Sequence, residues 1–336
     1  MASIVPQIVF DPNGGIGIGD LRISKPSASQ VLVRSRKTQV SAGSERNSLE
    51  LRRDISEPTG YTSVGVIEEI GSGVEGYSVG DRVVTITPHQ GAALVDVDQL
   101  TNMDGYLGVI PDDVSDSEAT FAVLGDVALH GVRRAHPYLG ESVAVFGQGL
   151  VGQLTTAFAV LAGADPVIAI DVLDERLEKA LVSGATHTVN AREADPIRTI
   201  HDLTGEGARV VFMAARDPLV MTASLKAAAR GGTVCLTGSP PGTVALNLQD
   251  EILRHELNLI GNYQEDYPVN PYHRFQWTRS ANRSYILHMI ARGRIKVDHL
   301  ISHDVSYTKA AEIYTMIAKG PEGWLGVLFD WSQVQG

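Results

Sequence analysis

Ser142-Val143-Ala144-Val145-Phe146, followed by Gly147-Gln148-Gly149-Leu150-Val151-Gly152, decides the fold of this chain. A short apolar run feeding a G-x-G-x-x-G turn is how a parallel sheet delivers backbone N–H groups to a pyrophosphate. Gly147 permits the tight turn and Gly149 lets the backbone approach the phosphates, while Gly152 lets a helix starting near Leu150 and running through Ala162 pack on the strand. A second apolar strand, Val167-Ile168-Ala169-Ile170, ends in Asp171, about 20 residues beyond the glycines as the dinucleotide fingerprint requires. A carboxylate there accepts from the two hydroxyls of an adenosine ribose and repels a 2′-phosphate, which predicts NAD rather than NADP. Val172 and Arg176 follow it; Arg176, beside Asp174 and Glu175, is expected to stack on adenine or to be solvated. Ala214, Ala215 and Arg216, then Thr237 and Gly238, then Asn262 and Tyr263 fall beyond later strand ends. An open α/β sheet puts its ligand there, so Ala214, Ala215, Thr237, Gly238, Asn262 and Tyr263 join the cofactor-binding set.

The glycine turn begins only at residue 147 of 336, and its surroundings define the rest of the architecture. Before it, Ile4 to Phe10, Gln30 to Gln39, Thr62 to Ile70, Arg82 to Thr87 and Ala92 to Val97 are β-branched runs bounded by Gly, Pro, Asp or Ser, the signature of an all-β lobe. Helix signals take over from Ser115 to Ala135, with Ser115, Asp116 and Glu118 at the start. Residues 142 to 262 then alternate strand and helix, adding Val210 to Met213, a helix over Val220 to Ala229, Thr233 to Thr237 and Leu257 to Gly261. That alternation implies a doubly wound parallel sheet. The chain closes with helices over Ser284 to Gly293 and Thr308 to Lys319 and a strand over Gly326 to Phe329. The expected division is a β-rich domain over residues 1–127, a Rossmann domain over 128–265 and a return to the first domain over 266–336.

Composition excludes several functions. A formal charge of −11 with 20% charged residues offers no basic face for nucleic acid or an anionic membrane. Cys235 is the only cysteine and lies in an apolar strand, so it reads as a buried thiol, no disulfide framework exists, and a reducing compartment is expected. Neither a signal-peptide pattern nor a membrane-length apolar run of roughly 18 residues is present, and the expected location is cytoplasmic.

A β lobe first and a Rossmann unit second resembles the medium-chain dehydrogenase/reductase family of zinc alcohol dehydrogenases and quinone oxidoreductases. The resemblance spans nearly the whole chain through Gly65-Val66-Ile67-Glu68-Glu69-Ile70-Gly71-Ser72-Gly73-Val74, Val79-Gly80-Asp81-Arg82-Val83 and Ile110-Pro111-Asp112-Asp113-Val114-Ser115. Within the family, Val40-Ser41-Ala42-Gly43-Ser44-Glu45, Pro88-His89, His130-Gly131-Val132-Arg133-Arg134 and Gly326-Val327-Leu328-Phe329-Asp330-Trp331 look most like the branch of bacteriochlorophyllide a dehydrogenase. The resemblance implies a GroES-like catalytic lobe, a small-molecule substrate and a homodimer paired through sheet edges.

It also implies a catalytic zinc, and here the sequence departs from the pattern. Ser41 stands where zinc members have their first ligand cysteine, and Gly60-Tyr61-Thr62 stands where they have Gly-His-Glu. Of the region of the third ligand, Val123 to Asp126, only Asp126 carries a donor. Zinc needs three or four N, S or carboxylate ligands, so no metal is expected; a replacement set would have to be Glu45, His89 and Asp126. If zinc lowers the pKa of a bound oxygen from about 15.7 to about 7, its loss removes on the order of 12 kcal/mol of alkoxide stabilisation. A general base supplies about 3 to 5 kcal/mol and one oxyanion donor roughly 3 to 4. Several polar groups must therefore converge on one oxygen, and the catalytic candidates are His89, Tyr61, Ser44, Ser41, Glu45 and Asp126.

His89 is the expected base, Tyr61 a hydrogen-bond donor in the vacated ligand position, and Ser44 a proton relay by the family resemblance. Ser41 to Ser44 is expected to form a tight turn, with Glu45 anchoring it through Arg46 or Arg82. Asp126 either orients a substrate hydroxyl or caps a neighbouring helix, and His130 packs near the cofactor. Tyr272 to Trp277 is a candidate substrate wall. The expected activity is zinc-independent, NAD(H)-dependent interconversion of a secondary alcohol and a ketone on a polyol, cyclitol or sugar-like compound. The alternatives are reduction of an activated C=C bond and dinucleotide binding without chemistry.

Overall fold

The computed structural model describes residues 3–12, 14–49, 51, 54–100, 106–263 and 277–334. Two compact units emerge, one of residues 1–123, 267–293 and 300–336, the other of residues 124–266 and 294–299.

In the first unit Gln30–Gln39 is the organising strand. It pairs antiparallel with Ser63–Ile70, Ala92–Asp96 and Gly326–Asp330. The sheet continues through Arg82–Thr85 to Leu107–Val109 on one side and to Ile301–Ser306 on the other. Alternate residues of these strands, Val31, Val33, Ile67, Val83, Val95 and Leu107, meet in one apolar cluster, as the two-residue period of a strand requires. A second, three-stranded sheet contains Ile16–Ile23, Ser3–Phe10 and Glu57–Pro58. Helix Ala310–Lys319 buries Ile313, Tyr314 and Ile317 against Val327, Phe329 and Trp331, whose indole donates to Thr38 Oγ1 at 2.9 Å.

The second unit is a six-stranded parallel sheet. Across it run His187–Asn190, Val167–Asp171, Val143–Phe146, Ala208–Met213, Ala228–Leu236 and Asn258–Gly261. Val143–Phe146 and Val167–Asp171 are buried at every position, because helices lie on both faces and such strands must be continuously apolar. Helices Leu150–Leu161, Asp174–Val182, Pro196–Thr204 and Val220–Ala227 connect the strands. Asp195 caps the third of them by accepting from Ile197 N at 2.9 Å, Pro196 opens it, and Gly205 ends it at φ 85°.

The molecule is therefore α/β, a β-rich unit plus a doubly wound Rossmann sheet. Several elements differ from the sequence expectation. Residues 42–49 form a helix rather than a tight turn. Ser115–Ala135 is two helices, Asp116–Ala119 under a full Ser115–Glu118 capping box and then Phe121–Ala135. Helix Val220–Ala227 stops early because the next strand already begins at Ala228. Among the described residues no helix is long and apolar enough to cross a membrane.

Candidate functional site

Each glycine of the turn at 147–152 has its own reason. Gly147 sits at φ +89°, and a Cβ there would lie 2.7 Å from Ala215 N. A Cβ on Gly152 would lie 1.9 Å from Gly147 O, so helix and strand close to a distance no other residue allows. Gly149 is different: nothing stands within 4 Å of its missing Cβ, and it precedes helix Leu150–Leu161 with no side-chain cap. Open backbone at the positive end of a 12-residue helix is the surface a pyrophosphate needs, so the residues present fit a dinucleotide.

Asp171 ends the neighbouring strand and is 8% exposed. Its carboxylate accepts from Gln148 N at 2.6 Å, Val172 N at 2.7 Å and Leu173 N at 3.1 Å. It thus binds the glycine turn to the strand end while keeping lone-pair capacity for ribose hydroxyls. Exposed Val172 and half-buried Arg176 flank it.

Other members of the set are structural by geometry. The Gln148 side chain turns inward, donating to Val145 O at 3.0 Å and accepting from Thr156 at 3.3 Å, so only its backbone stays with the turn. A Cβ on Gly238 would meet Ala214 backbone atoms at 2.9 Å, which explains the small residues there. Thr237 and Asn262 close around Gly131 of helix Phe121–Ala135, and Asn262 Nδ2 donates to Val127 O at 2.9 Å. The Asn262 amide nitrogen thus ties the last strand end to that helix, while Thr237 Oγ1 turns to Cys235 Sγ at 3.7 Å. Tyr263 is exposed, and Cys235 is fully buried with its thiol pushed up to about 11 by burial. Asp126 is fully buried one turn before His130. Burial, then Arg134 and Arg133, push the His130 imidazole down to about 4, so it is neutral at physiological pH.

The first unit gathers a polar cluster around helix Ala42–Leu49. Glu45, 4% exposed, reaches back to accept from Ser41 N at 2.6 Å, which holds the first turn. Its other oxygen faces Thr59 Oγ1 at 3.1 Å, His89 Nε2 at 3.3 Å and the Tyr314 hydroxyl. Burial alone would raise the Glu45 carboxyl, but the facing His89, Tyr314 and the Ser41 amide outweigh it and hold the group below its ordinary value. Glu45 therefore anchors the helix through these four donors rather than through Arg46 or Arg82.

His89 is the main correction. It is 0% exposed, edge-on to Phe329 at 5.3 Å between ring centroids, and roofed by Gly60. Gly60 sits at φ +81°, where a Cβ would fall 2.4 Å from the imidazole. A base must reach its substrate; His89 reaches Glu45 instead.

Outside this buried pair lies a chain of hydroxyls. Tyr61 Oη donates to Ser41 Oγ at 2.5 Å, and Ser41 Oγ donates to Ser44 Oγ at 3.5 Å. Ser41 is buried and Ser44 exposed, so the chain runs from interior to solvent. Burial raises the Tyr61 phenol, Ser41 opposes that and Glu45 reinforces it; the net shift is upward, so the phenol keeps its proton. Ser41 and Tyr61 thus touch each other through neutral hydroxyls. Among the described residues no group of three or more His, Cys, Asp or Glu side chains could hold a metal ion.

Sequence reasoning missed Tyr314 and Thr59. Tyr314 lies 269 residues from Glu45 and looked like one more residue of an apolar helix face; a phenol in that stripe was the available signal. Arg283 was also missed: it is 1% exposed, stands 4.9 Å over the Tyr106 ring, and its charge lowers the Tyr61 phenol slightly. Of the candidate wall at 272–277, residues 272–276 lie outside the described residues.

Sheet order, glycine turn and strand-end carboxylate define a Rossmann dinucleotide-binding protein joined to a β-rich unit. Comparison with known proteins agrees. Residues 151–275 match the family model described as zinc-binding dehydrogenase. Sorbitol dehydrogenase of Bacillus subtilis (strain 168) is 28% identical over 239 residues, covering 62% of this chain and 67% of that one. Among solved structures, 2R,3R-butanediol dehydrogenase from Bacillus subtilis superposes with TM-score 0.81 at 20% identity, covering 97% and 99% of the two chains. A Sinorhizobium meliloti 1021 chain assigned to the zinc-binding dehydrogenases and bound to NADP does so with TM-score 0.82 at 23% identity, covering 98% and 99%. By these matches the chain is similar to the medium-chain dehydrogenases/reductases.

Proposed function

We propose that this chain is a zinc-independent, NAD(H)-dependent oxidoreductase that interconverts a secondary alcohol and a ketone on a small polyol-like substrate. The observation that carries the reading is the direct contact of Tyr61 with Ser41, at the two positions where metal-dependent members hold their ion. Both residues lie outside the stretch matched by the zinc-binding dehydrogenase model. Asp171 supports NAD, since a carboxylate facing the ribose repels a 2′-phosphate. The sorbitol and butanediol dehydrogenases among the relatives support a polyol.

A nicotinamide dinucleotide held at the Gly147–Gly152 turn and Asp171 would supply the hydride acceptor and donor. What remains for the protein is the hydroxyl proton. Tyr61, kept a phenol by burial, donates its hydrogen to Ser41 Oγ, so on oxidation its Oη accepts the substrate hydroxyl proton while its own proton passes to Ser41 Oγ; reduction runs the same transfers in reverse. Ser41 passes one to Ser44, and Ser44 to solvent. Each hydroxyl gives one proton and receives one, so no charge is left in the chain of groups. Glu45 holds Ser41 in place from below through its backbone N–H.

The test is a rate measurement with vicinal polyols and NAD+, followed at the nicotinamide absorbance before and after exhaustive chelation. Turnover that survives chelation is expected. Activity abolished by chelation and restored by zinc would overturn the metal-free mechanism, and activity confined to NADPH-driven C=C reduction would overturn the reaction assigned.

A further inference from the structure

Gln153 is fully buried in the first helix of the Rossmann unit and points at no ligand, yet every hydrogen-bonding atom of its side chain is used. Nε2 donates to Gln148 O at 3.3 Å and to Arg176 O at 2.8 Å. Oε1 accepts from Ser183 Oγ at 2.9 Å. Ser183 in turn lies 3.0 Å from His299 Nε2. Because the serine proton is spent on Gln153, the imidazole must donate, which fixes its Nε2–H tautomer. Lys179 Nζ holds the His299 carbonyl at 2.5 Å, so residue 299 is pinned at both backbone and side chain. The result is one directed chain of hydrogen bonds, His299 to Ser183 to Gln153, forking onto two carbonyls.

Those carbonyls belong to two different parts of the nucleotide site. Gln148 is in the turn that faces the pyrophosphate, and Arg176 is in the helix entered just after Asp171, on the adenosine side. Asp171 ties the same two segments at the strand end, through Gln148 N. We infer that Gln153, held by Ser183 and His299, is a positioning residue that fixes the spacing between the pyrophosphate-binding and adenosine-binding segments. It therefore controls affinity for ligands that span both. This rests on the dinucleotide reading above.

A ligand touching one segment is indifferent to that spacing; a ligand touching both is not. Calorimetric titration of the full chain with NAD+, ADP-ribose and AMP separates the cases. Gln153→Leu, and equally Gln153→Glu, which cannot donate to two carbonyls, should weaken NAD+ and ADP-ribose about tenfold while AMP changes less than about threefold. Ser183→Ala should produce the same pattern at about a third of the size, and it keeps the question open to test if the Gln153 variants fail to fold. Equal weakening of all three ligands, or none in any variant, would overturn the positioning role. A wild-type chain that binds neither NAD+ nor ADP-ribose would instead overturn the dinucleotide reading itself.

Discussion

Removing the Glu45 carboxylate should destabilise the first unit by an amount that depends on pH in one direction only. The group accepts from Ser41 N, Thr59 Oγ1, Tyr314 Oη and His89 Nε2, all buried. A buried donor left without an acceptor costs about 1–3 kcal/mol, and stripping one partner from a buried pair costs about 3–5 kcal/mol. Glu45→Ala should therefore cost about 4 kcal/mol, and Glu45→Gln, which keeps one acceptor oxygen, about 2. At roughly 2–4 °C per kcal/mol, the alanine variant should melt about 8–16 °C lower at pH 7. The sign of the pH effect follows from the lowered carboxyl of the folded state. A depressed folded pKa contributes stability that is fully present above the ordinary value near 4.5 and is lost as pH falls through the folded value. Denaturant unfolding followed by circular dichroism at pH 7, 5 and 3.5 should show the gap between wild type and Glu45→Gln constant over the first step and smaller over the second. A gap that widens toward pH 3.5, or a Glu45→Ala variant as stable as wild type at pH 7, would refute the assignment of Glu45 as the buried anchor.

Other outcomes follow from the same geometry. Asp171→Ala should reduce the preference for NAD over NADP by about tenfold or more, read by titrating both cofactors, because it removes the group that repels a 2′-phosphate. Tyr61→Phe and Ser41→Ala should each lower turnover by about a hundredfold with NAD+ affinity unchanged, and the double variant should lose less than the product of the two. Elemental analysis of the purified protein should find no stoichiometric zinc. Gly152→Ala should abolish cofactor binding, measured by fluorescence quenching, because its Cβ would fall 1.9 Å from Gly147 O.

The Rossmann unit was legible because its signals are local. The apolar run, the three glycines and Asp171 lie within 30 positions of one another, and each is required by the backbone it occupies. The third strand, His187–Asn190, escaped notice because it is short and half-polar at the sheet edge. In the β-rich unit Ile16–Ile23 was missed since Gly17 and Gly19 dilute its pattern; their bare backbone lies over Val9 across the hairpin. Helix Ala42–Leu49 was read as a turn because Gly43, Ser44, Asn47 and Ser48 are weak helix formers; Glu45 holds its first turn by a contact that propensity does not register. His89 shows the limit most sharply. Its chemistry is visible in the sequence, but which way it faces is set by Gly60, Phe329 and Glu45, distant in the chain and joined only by folding.

Cys235, sealed in the parallel sheet beside Gly131 and Thr237, gives the molecule a built-in clock. A thiol that is both inaccessible and raised to about 11 does not react with alkylating reagents while the sheet is closed. Each modification event then counts one opening of the strand that carries it. Because the chain has one cysteine, the count is free of background. Reagent uptake over hours at neutral pH would time the excursions of the nucleotide-binding sheet in the unaltered protein, and bound cofactor should slow the clock in proportion to its saturation of the closed state.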